Sequence, residues 1–564
     1  MTRPSGGNGI GSGRRPAPGD PDGLDDAGDQ VPAHGRRRRA PRPDRDRRSL
    51  PARLPVLAVV GVVLAGAVAL EQGDGRGEGV GAVPGSPTRP AAVVPSAAPE
   101  SAGSSTWYCA AGTAVADGAA DHVVVMVNPG PASRHAVLTV YPGDVAAPAR
   151  PADPVSRDVD LPAVEHEVTG PSGGDVAPCA TAAAATWHFA WGETSRDARE
   201  TVVLFNPFPT AATVEATFAT EDGGREPVRF QGFPVPARSV VGVDLGEDVT
   251  RSDQVSATFR VRGGRIIAER LQDFDGTLGR GGLSLALGVP EAAVTWVFAD
   301  GEASAPTPEA AAPEAASPAS STTTTTGSDD DDPESESGSD EEEGTTAEKI
   351  VVYNPGDERA EVAVSVLPTT EEPGPLPQPF GLSVGPGDYE VVDYGAEDRI
   401  VAGVSHATVV RVTAGDGVVV ERVTTDGDAE VTAAPGARFA DRIWTFPTTV
   451  GGDAAATLVV FNPDPERAVR ATLRPAVDGA GPLAEPVDVP PGGRATLEVD
   501  PAAVTDATGV VVRATGPVVV ERRLALPDGG GRLALGGGIP AAATAVSLDA
   551  LGEDARLAGV PPAG

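Results

Sequence analysis

The sequence is poor in the residues on which most protein classes rely. Of its 564 residues only 4% are aromatic, two are Cys and two are Met, so a core must come from Val, Ala and Leu. Two cysteines are too few for a disulfide-dense scaffold. Gly (70) and Pro (56) recur without a Gly-X-Y period, which excludes collagen, and a coiled coil is excluded as well. A single long apolar run rules out a polytopic membrane protein. Lysine is nearly absent: Lys349 stands alone among 44 basic residues, a bias typical of a GC-rich bacterial genome. The length alone suggests about three or four domains at roughly 150 residues each.

Signatures of chemistry are missing too. No P-loop or Rossmann glycine pattern follows a strand. Beyond the apolar run the histidines are His122, His135, His166, His188 and His406, and none forms HExxH or a close pair. Gly170-Pro171-Ser172-Gly173-Gly174 spells G-x-S-x-G, but a nucleophile elbow needs a strand before it and a helix after it. No catalytic, cofactor-binding or metal-ligating residue is assigned, and no cofactor is expected.

What is present is a sharp asymmetry of charge. Twelve Arg and seven Asp give residues 1–53 a net charge of +5, which leaves −41 of the total −36 to the remainder. The uncharged run Leu54–Leu70 follows the arginine cluster directly, which places the N-terminus in the cytoplasm and the acidic bulk outside. Seventeen residues reach about 25 Å, slightly short of a ~30 Å hydrocarbon core. Ala67-Val68-Ala69 would also suit a signal-peptide cleavage site, but the 53-residue leader favours an uncleaved signal-anchor in the plasma membrane. The basic tail has no aromatics to stack bases, so nucleic acid is not an expected partner. Cys109 and Cys179 both fall in the exported part, where an oxidising compartment favours a disulfide between them.

The exported part repeats itself. A hydrophobic run ends in Asn-Pro at Asn128, Asn206, Asn354 and Asn462. A strand ending in Val/Leu-Asp closes at Asp160, Asp244, Asp393 and Asp500. A β-branched strand ends in Glu269-Arg270, Glu421-Arg422 and Glu521-Arg522, and Trp107, Trp187, Trp296 and Trp444 each precede an Asn-Pro run. Asn-Pro terminates strands because proline lacks a ladder donor and biases its predecessor to extended geometry. Each unit holds about seven extended segments and no credible helix, which predicts tandem antiparallel β-sandwich units of immunoglobulin-like or fibronectin-like form; a β-propeller is the alternative.

The expected order is a disordered basic tail (1–53), the anchor (54–70) and a Pro/Gly/Ala linker (71–104). Four units follow: 105–182, 183–291, 292–438 and 439–545, then a tail (546–564). Unit 3 carries a disordered acidic insert at 303–347, too poor in apolar residues to order itself. Unit 1 is shorter by about 25 residues and lacks a Glu-Arg pair in its sequence, so the disulfide is expected to offset the lost strands. The Trp residues read as core rather than as sugar platforms. The Arg of each Glu-Arg pair is expected to stack on the following Trp or to pair with the Asp of its own unit.

These Trp…Asn-Pro…Val-Asp…Glu-Arg units behind one membrane segment resemble an uncharacterised actinobacterial family of membrane-anchored, exported proteins of unknown function. The resemblance covers about residues 105–545 and implies no activity. The composite expectation is a non-catalytic extracytoplasmic scaffold or protein-binding ectodomain of the bacterial cell envelope, with an envelope protein or glycan as partner. The alternative is a polysaccharide-binding or wall-assembly accessory protein.

Overall fold

Alternation of small apolar and polar residues dictates the strands. In Ala212–Thr220 the side chains of Ala212, Val214, Ala216 and Phe218 are buried, while Thr213, Glu215 and Thr217 face outward. A computed structural model of the chain describes residues 163–303 and 346–548, apart from 370–375, 402, 427–429, 448–454, 478–480, 500–508, 526–532 and 542–544. It also describes 95–97, 105–112, 121–128, 136–141 and 150–151. The basic tail, the 54–70 run, nearly all of the 71–104 linker, most of the 303–347 insert and most of the 546–564 tail lie outside the described residues. Among the described residues no helix is long and apolar enough to cross a membrane.

The described structure is almost entirely antiparallel β. In unit 2 the strands Gln231–Val235, Ala212–Thr220, Val255–Gly263 and Thr186–Phe189 lie side by side in one sheet. Ser239–Asp244, Ala198–Asn206, Ile267–Asp275 and Gly281–Leu287 form the other. Val202 and Leu204 from the second sheet share one apolar core with Val214, Phe218 and Phe259 from the first. Each such fully buried aliphatic side chain contributes about 1.5–3 kcal/mol of transfer free energy. Unit 3 repeats the arrangement strand for strand. In unit 4 one strand, Val510–Ala525, serves both sheets, its first half against Phe439–Phe446 and its second against Ala455–Phe461.

The central pairings, second strand with fifth and third with sixth, are those of an immunoglobulin domain. The outer strands differ. The Trp-bearing first strand pairs with the sixth, and the Glu-Arg strand pairs with the second. These two have exchanged the places that the first and last strands hold in the immunoglobulin arrangement, because alternation fixes which face is buried but not which edge a strand joins.

The asparagines of the Asn-Pro turns tie loops together. Asn206 is fully buried, and its Nδ2 donates to the carbonyls of Thr210, Val235 and Pro236 while its Oδ1 accepts from Phe208 N. Asn354 and Asn462 make the equivalent bonds, to Glu358 and Val384 and to Arg467, Val489 and Pro490. Asn128 is half-buried in the matching place. Asp244 and Asp393 each accept from a backbone N–H two residues on, Gly246 and Gly395, at the start of a short 3-10 turn. Asp160 and Asp500 lie outside the described residues.

Unit 1 corrects one expectation. Its sheet of Asp121–Val127, Ala163–Gly170 and Gly173–Pro178 matches the second sheet of the other units. Glu165 sits opposite Val125, as Glu269 sits opposite Val203, Glu421 opposite Val351 and Glu521 opposite Val459. The Glu-Arg strand is therefore present, written Glu165-His166. The chain passes from Asp160 to the strand starting at Ala163 in two residues, so the shortening falls on the sixth strand instead.

Candidate functional site

Successive residues of a strand face opposite sides of its sheet. In each Glu-Arg strand both side chains are nonetheless buried: Glu269 and Arg270 at 0%, Glu421 and Arg422 at 1%, Glu521 at 4% and Arg522 at 2% exposure. Buried charge must be paired, and here the partner comes from the next unit. Arg270 of unit 2 lies 2.7 Å from Glu421 of unit 3, and Arg422 of unit 3 lies 3.2 Å from Glu521 of unit 4. Arg522 of unit 4 lies 3.0 Å from Glu165 of unit 1, and His166 of unit 1 lies 3.4 Å from Glu269 of unit 2. Three arginine–glutamate ion pairs and one His166–Glu269 contact thus run from unit to unit and close on themselves. In units 2 and 3 the expected pairing of Arg with the Asp of its own unit, Asp244 or Asp393, is not what forms; Asp500 of unit 4 lies outside the described residues.

Each seam is built alike. The guanidinium of Arg270 donates to the carbonyl of Trp191, and that of Arg422 to the carbonyl of Asp300. The acceptor carboxylates also take backbone N–H groups: Glu421 from Ala190 at 2.9 Å, Glu521 from Asp300 at 2.8 Å, and Glu269 from Ala110 and Ala111. Burial opposes the charge of Arg422, but Glu521, Glu348 and Asp300 outweigh it and hold the guanidinium above its ordinary pKa. Burial pushes Glu521 up while Arg422 pulls it down. The net shift of Glu521 is upward, whereas an arginine does not lose its proton in a protein and Arg422 stays cationic.

The arginines stack on phenylalanine in all three seams, and Arg270 also lies 5.0 Å from the Trp191 ring centre. Arg270 lies 5.7 Å from the Phe189 ring centre, Arg422 5.3 Å from Phe298 and Arg522 5.4 Å from Phe446. Each Phe comes two residues after the unit's Trp, and its ring is seated against a glycine. A Cβ on Gly288, Gly436 or Gly538 would come within 2.9, 2.8 and 2.6 Å of Phe189, Phe298 and Phe446. In unit 1 the two corresponding positions are Cys109 and Cys179, and they are bonded to each other. The disulfide replaces a ring-on-glycine contact where His166 replaces arginine.

The tryptophans are core. Trp187, Trp296 and Trp444 are 0%, 1% and 3% exposed, and their Nε1 groups donate to Ile266, Val418 and Val518 carbonyls at 2.8, 2.9 and 2.8 Å. Trp107 is partly buried beside Val127 and Ala163.

A second ionisable position stands six residues before three of the four Asn-Pro asparagines: His122, Glu200 and Glu348. His122 Nε2 lies 3.0 Å from His166 Nδ1, and burial with the His166 charge drives His122 down to about 4. Glu200 is fully buried, and burial raises it to about 8 against the pull of Arg270. Glu348 lies 3.4 Å from His406. Sequence reading missed Glu165, His166, the phenylalanines and these groups. The usable signal was Trp-x-Phe/Cys-x-x-Gly, at Gly112, Gly192 and Gly301, where added Cβ atoms would collide with His122, Glu200 and His406.

The edge strands Gly173–Pro178, Gly281–Leu287, Val431–Pro435 and Leu533–Gly537 meet inside the ring of charge. Asp175 accepts from Leu285 N of the next unit at 2.7 Å, and Ser284 Oγ accepts from Ala433 N at 3.0 Å in the same sense. Where these strands end, an apolar cavity of about 140 Å³ lies among all four, walled by Val176, Leu287, Trp296, Phe439, Trp444 and Pro540. Among the described residues no three His, Cys, Asp or Glu side chains gather as a metal site would require. The G-x-S-x-G sequence is the tight turn of the hairpin between Ala163–Gly170 and Gly173–Pro178.

No curated protein matches the chain. Among solved structures it is similar to Thermotoga maritima 1070, at 14% identity and a TM-score of 0.18, over 19% of this chain and 96% of that one. It is also similar to a Streptomyces avermitilis alpha-L-rhamnosidase complexed with L-rhamnose (8% identity, TM-score 0.12, 69% of this chain and 53% of that one). A tetra-tandem repeat from the extending region of a large adhesion protein compares at 13% identity and a TM-score of 0.10, over 74% and 92% of the two chains. Across more than half of the chain, residues 163–502, the sequence matches one family model, and the protein belongs to that family of unknown function, DUF5719.

Proposed function

We propose that this protein is a non-catalytic scaffold or protein-binding ectodomain of the bacterial cell envelope. It is carried on a single N-terminal signal-anchor at residues 54–70, with its bulk outside the plasma membrane. The observation that carries the reading is the cyclic set of buried contacts ending in Arg522–Glu165. Desolvating so many charges gains little net stability, yet each seam admits one register and one neighbour. Four units locked in this way present a fixed surface, which suits a scaffold better than a flexible string of modules does. The Cys109–Cys179 bond accords with an oxidising, extracytoplasmic compartment. Immunoglobulin-like ancestry of the units is part of this reading, given their central strand pairings.

The polysaccharide-binding reading is the weaker one, because Trp187, Trp296 and Trp444 are spent on the core and cannot stack on a sugar. The test is a pull-down of envelope proteins and a glycan array with the full chain in detergent, together with protease accessibility of intact cells. Enrichment of a defined envelope protein with an empty array supports the proposal. Selective glycan binding, or protection of residues 105–545 from external protease, overturns it.

A further inference from the structure

Three of the four seams close on arginine, a cation that keeps its proton at any pH the fold survives. The seam between units 1 and 2 closes on His166 instead, with Nε2 3.4 Å from Glu269. A second exchange accompanies the first. Unit 2 places a buried acid, Glu200, within the field of Arg270, and unit 1 carries the base His122 at the matching position. His122 Nε2 lies 3.0 Å from His166 Nδ1, and the two rings meet edge to face with centres 5.0 Å apart. His166 and Glu269 are fully buried. His122 rests on Gly112, where an added Cβ would come within 2.6 Å of it. The same short stretch gives Glu269 the amides of Ala110 and Ala111, at 3.0 and 2.6 Å. The histidine pair and the grip on Glu269 therefore share one piece of chain.

Two ring nitrogens facing each other at 3.0 Å hold one proton between them, as N–H···N. A second proton makes both nitrogens donors and sets two cations side by side. We propose that the seam between units 1 and 2 is an acid-opened joint: a second proton on the His122–His166 pair breaks its hydrogen bond, displaces the stretch ending at Gly112 and frees Glu269, while the arginine seams stay shut. Burial, with the His166 charge, lowers His122 to about 4 in the closed seam, against the opposing pull of Glu269. Released into water, His122 returns toward about 6.5. The open seam then binds protons more tightly than the closed one, so opening is favoured as pH falls from about 6.5 to about 4. Among the described residues, Glu269 faces the pair from unit 2. On the third strand of the sheet Asp175 stands opposite Val168, held by the amides of Val176 and Leu285. Asp121, Glu165 and Glu167 adjoin the two histidines in sequence and so face the other side of the sheet. Residues 105–112 carry no charged side chain.

The test is hydrogen–deuterium exchange read by mass spectrometry on the full chain in detergent, at pH 7 and at pH 4.5, with each rate divided by its intrinsic value. Ala110 and Ala111 report the histidine seam; Ala190, bonded to Glu421, and Asp300, bonded to Glu521, report two arginine seams. Protection of Ala110 and Ala111 is expected to fall about tenfold or more at pH 4.5, while Ala190 and Asp300 stay within about twofold. His122→Gln cannot take up the second proton and is expected to remove the loss. It also separates His122 from Asp175, which titrates in the same seam. Installing the pair of unit 2, His122→Glu with His166→Arg, is expected to remove the loss as well. Protection at Ala110 and Ala111 that does not change with pH overturns the proposal. So does an equal loss at all four amides, or a loss that survives His122→Gln.

Discussion

Arg522, in the last unit, places its Nη1 3.0 Å from Oε2 of Glu165 in the first, across a separation of 357 residues. This contact turns a linear array into a ring. In linear repeats each unit touches only its neighbours in sequence and the ends need caps. Here the first and last units cap one another.

The Arg422–Glu521 seam tests how the charges act. Removing one partner leaves the other buried without its counter-ion, so Arg422→Ala or Glu521→Ala is expected to cost about 3–5 kcal/mol in denaturant unfolding. Replacing both together by Met is expected to recover most of that loss, since two buried charges are traded for packing. A double replacement as damaging as the sum of the singles would contradict this.

Unit 1 offers a graft. Cys109→Phe with Cys179→Gly installs the Phe189–Gly288 pair in its place, whereas Cys109→Ser with Cys179→Ser leaves a gap and removes a cross-link between positions 70 residues apart. Such a cross-link contributes on the order of 4 kcal/mol in the chain-entropy model. The Phe/Gly variant is expected to melt higher than the Ser/Ser variant under reducing conditions. A lower or equal melting temperature would show that the two contacts are not interchangeable.

Three buried groups and the half-buried His122 shape the pH profile, two on each side. Asp175, raised by burial to about 7, and Glu200, raised to about 8, bind protons more tightly folded than unfolded. They therefore favour folding most at low pH and withdraw that support as pH climbs to about 8. Burial lowers His122 to about 4 and His188 to about 3, so both favour folding least below those values and most above their ordinary 6.5. The slopes oppose each other between about pH 4.5 and 6.5, giving a plateau there and losses on both sides. Glu200→Gln is expected to flatten the alkaline fall, worth a few kcal/mol at pH 8. If its Tm profile from pH 6 to 9 overlays that of the unchanged protein, Glu200 is not a buried neutral acid.

Asn354 illustrates what was legible in the sequence. Four Asn-Pro runs marked strand ends because proline forces them locally, and the structure adds that the buried amide bonds Glu358 and Val384 carbonyls. Asn354→Ala leaves both carbonyls without that donor and is expected to cost about 1–3 kcal/mol, with Asn354→Asp no better, by thermal melt. Strand type, the lack of helix expected within the repeat units and found among their described residues, and the disulfide could all be read because each depends on local alternation, on turn residues or on compartment. The seams could not, because Arg270–Glu421 and Arg422–Glu521 span 151 and 99 residues and no local pattern encodes a partner that far away. Glu165-His166 escaped because the pair kept its register while changing a letter. The exchange of outer strands escaped because alternation marks which face of a strand is buried and not which edge it joins.

The most direct test of the ring is a double-mutant cycle on Arg522 and Glu165, using Arg522→Met and Glu165→Gln in the full chain. With unfolding free energies from denaturant titration, a closed ring predicts a coupling of about 2–3 kcal/mol between these two residues. Additive effects within about 0.5 kcal/mol would mean that units 1 and 4 do not meet and that the chain is an open row.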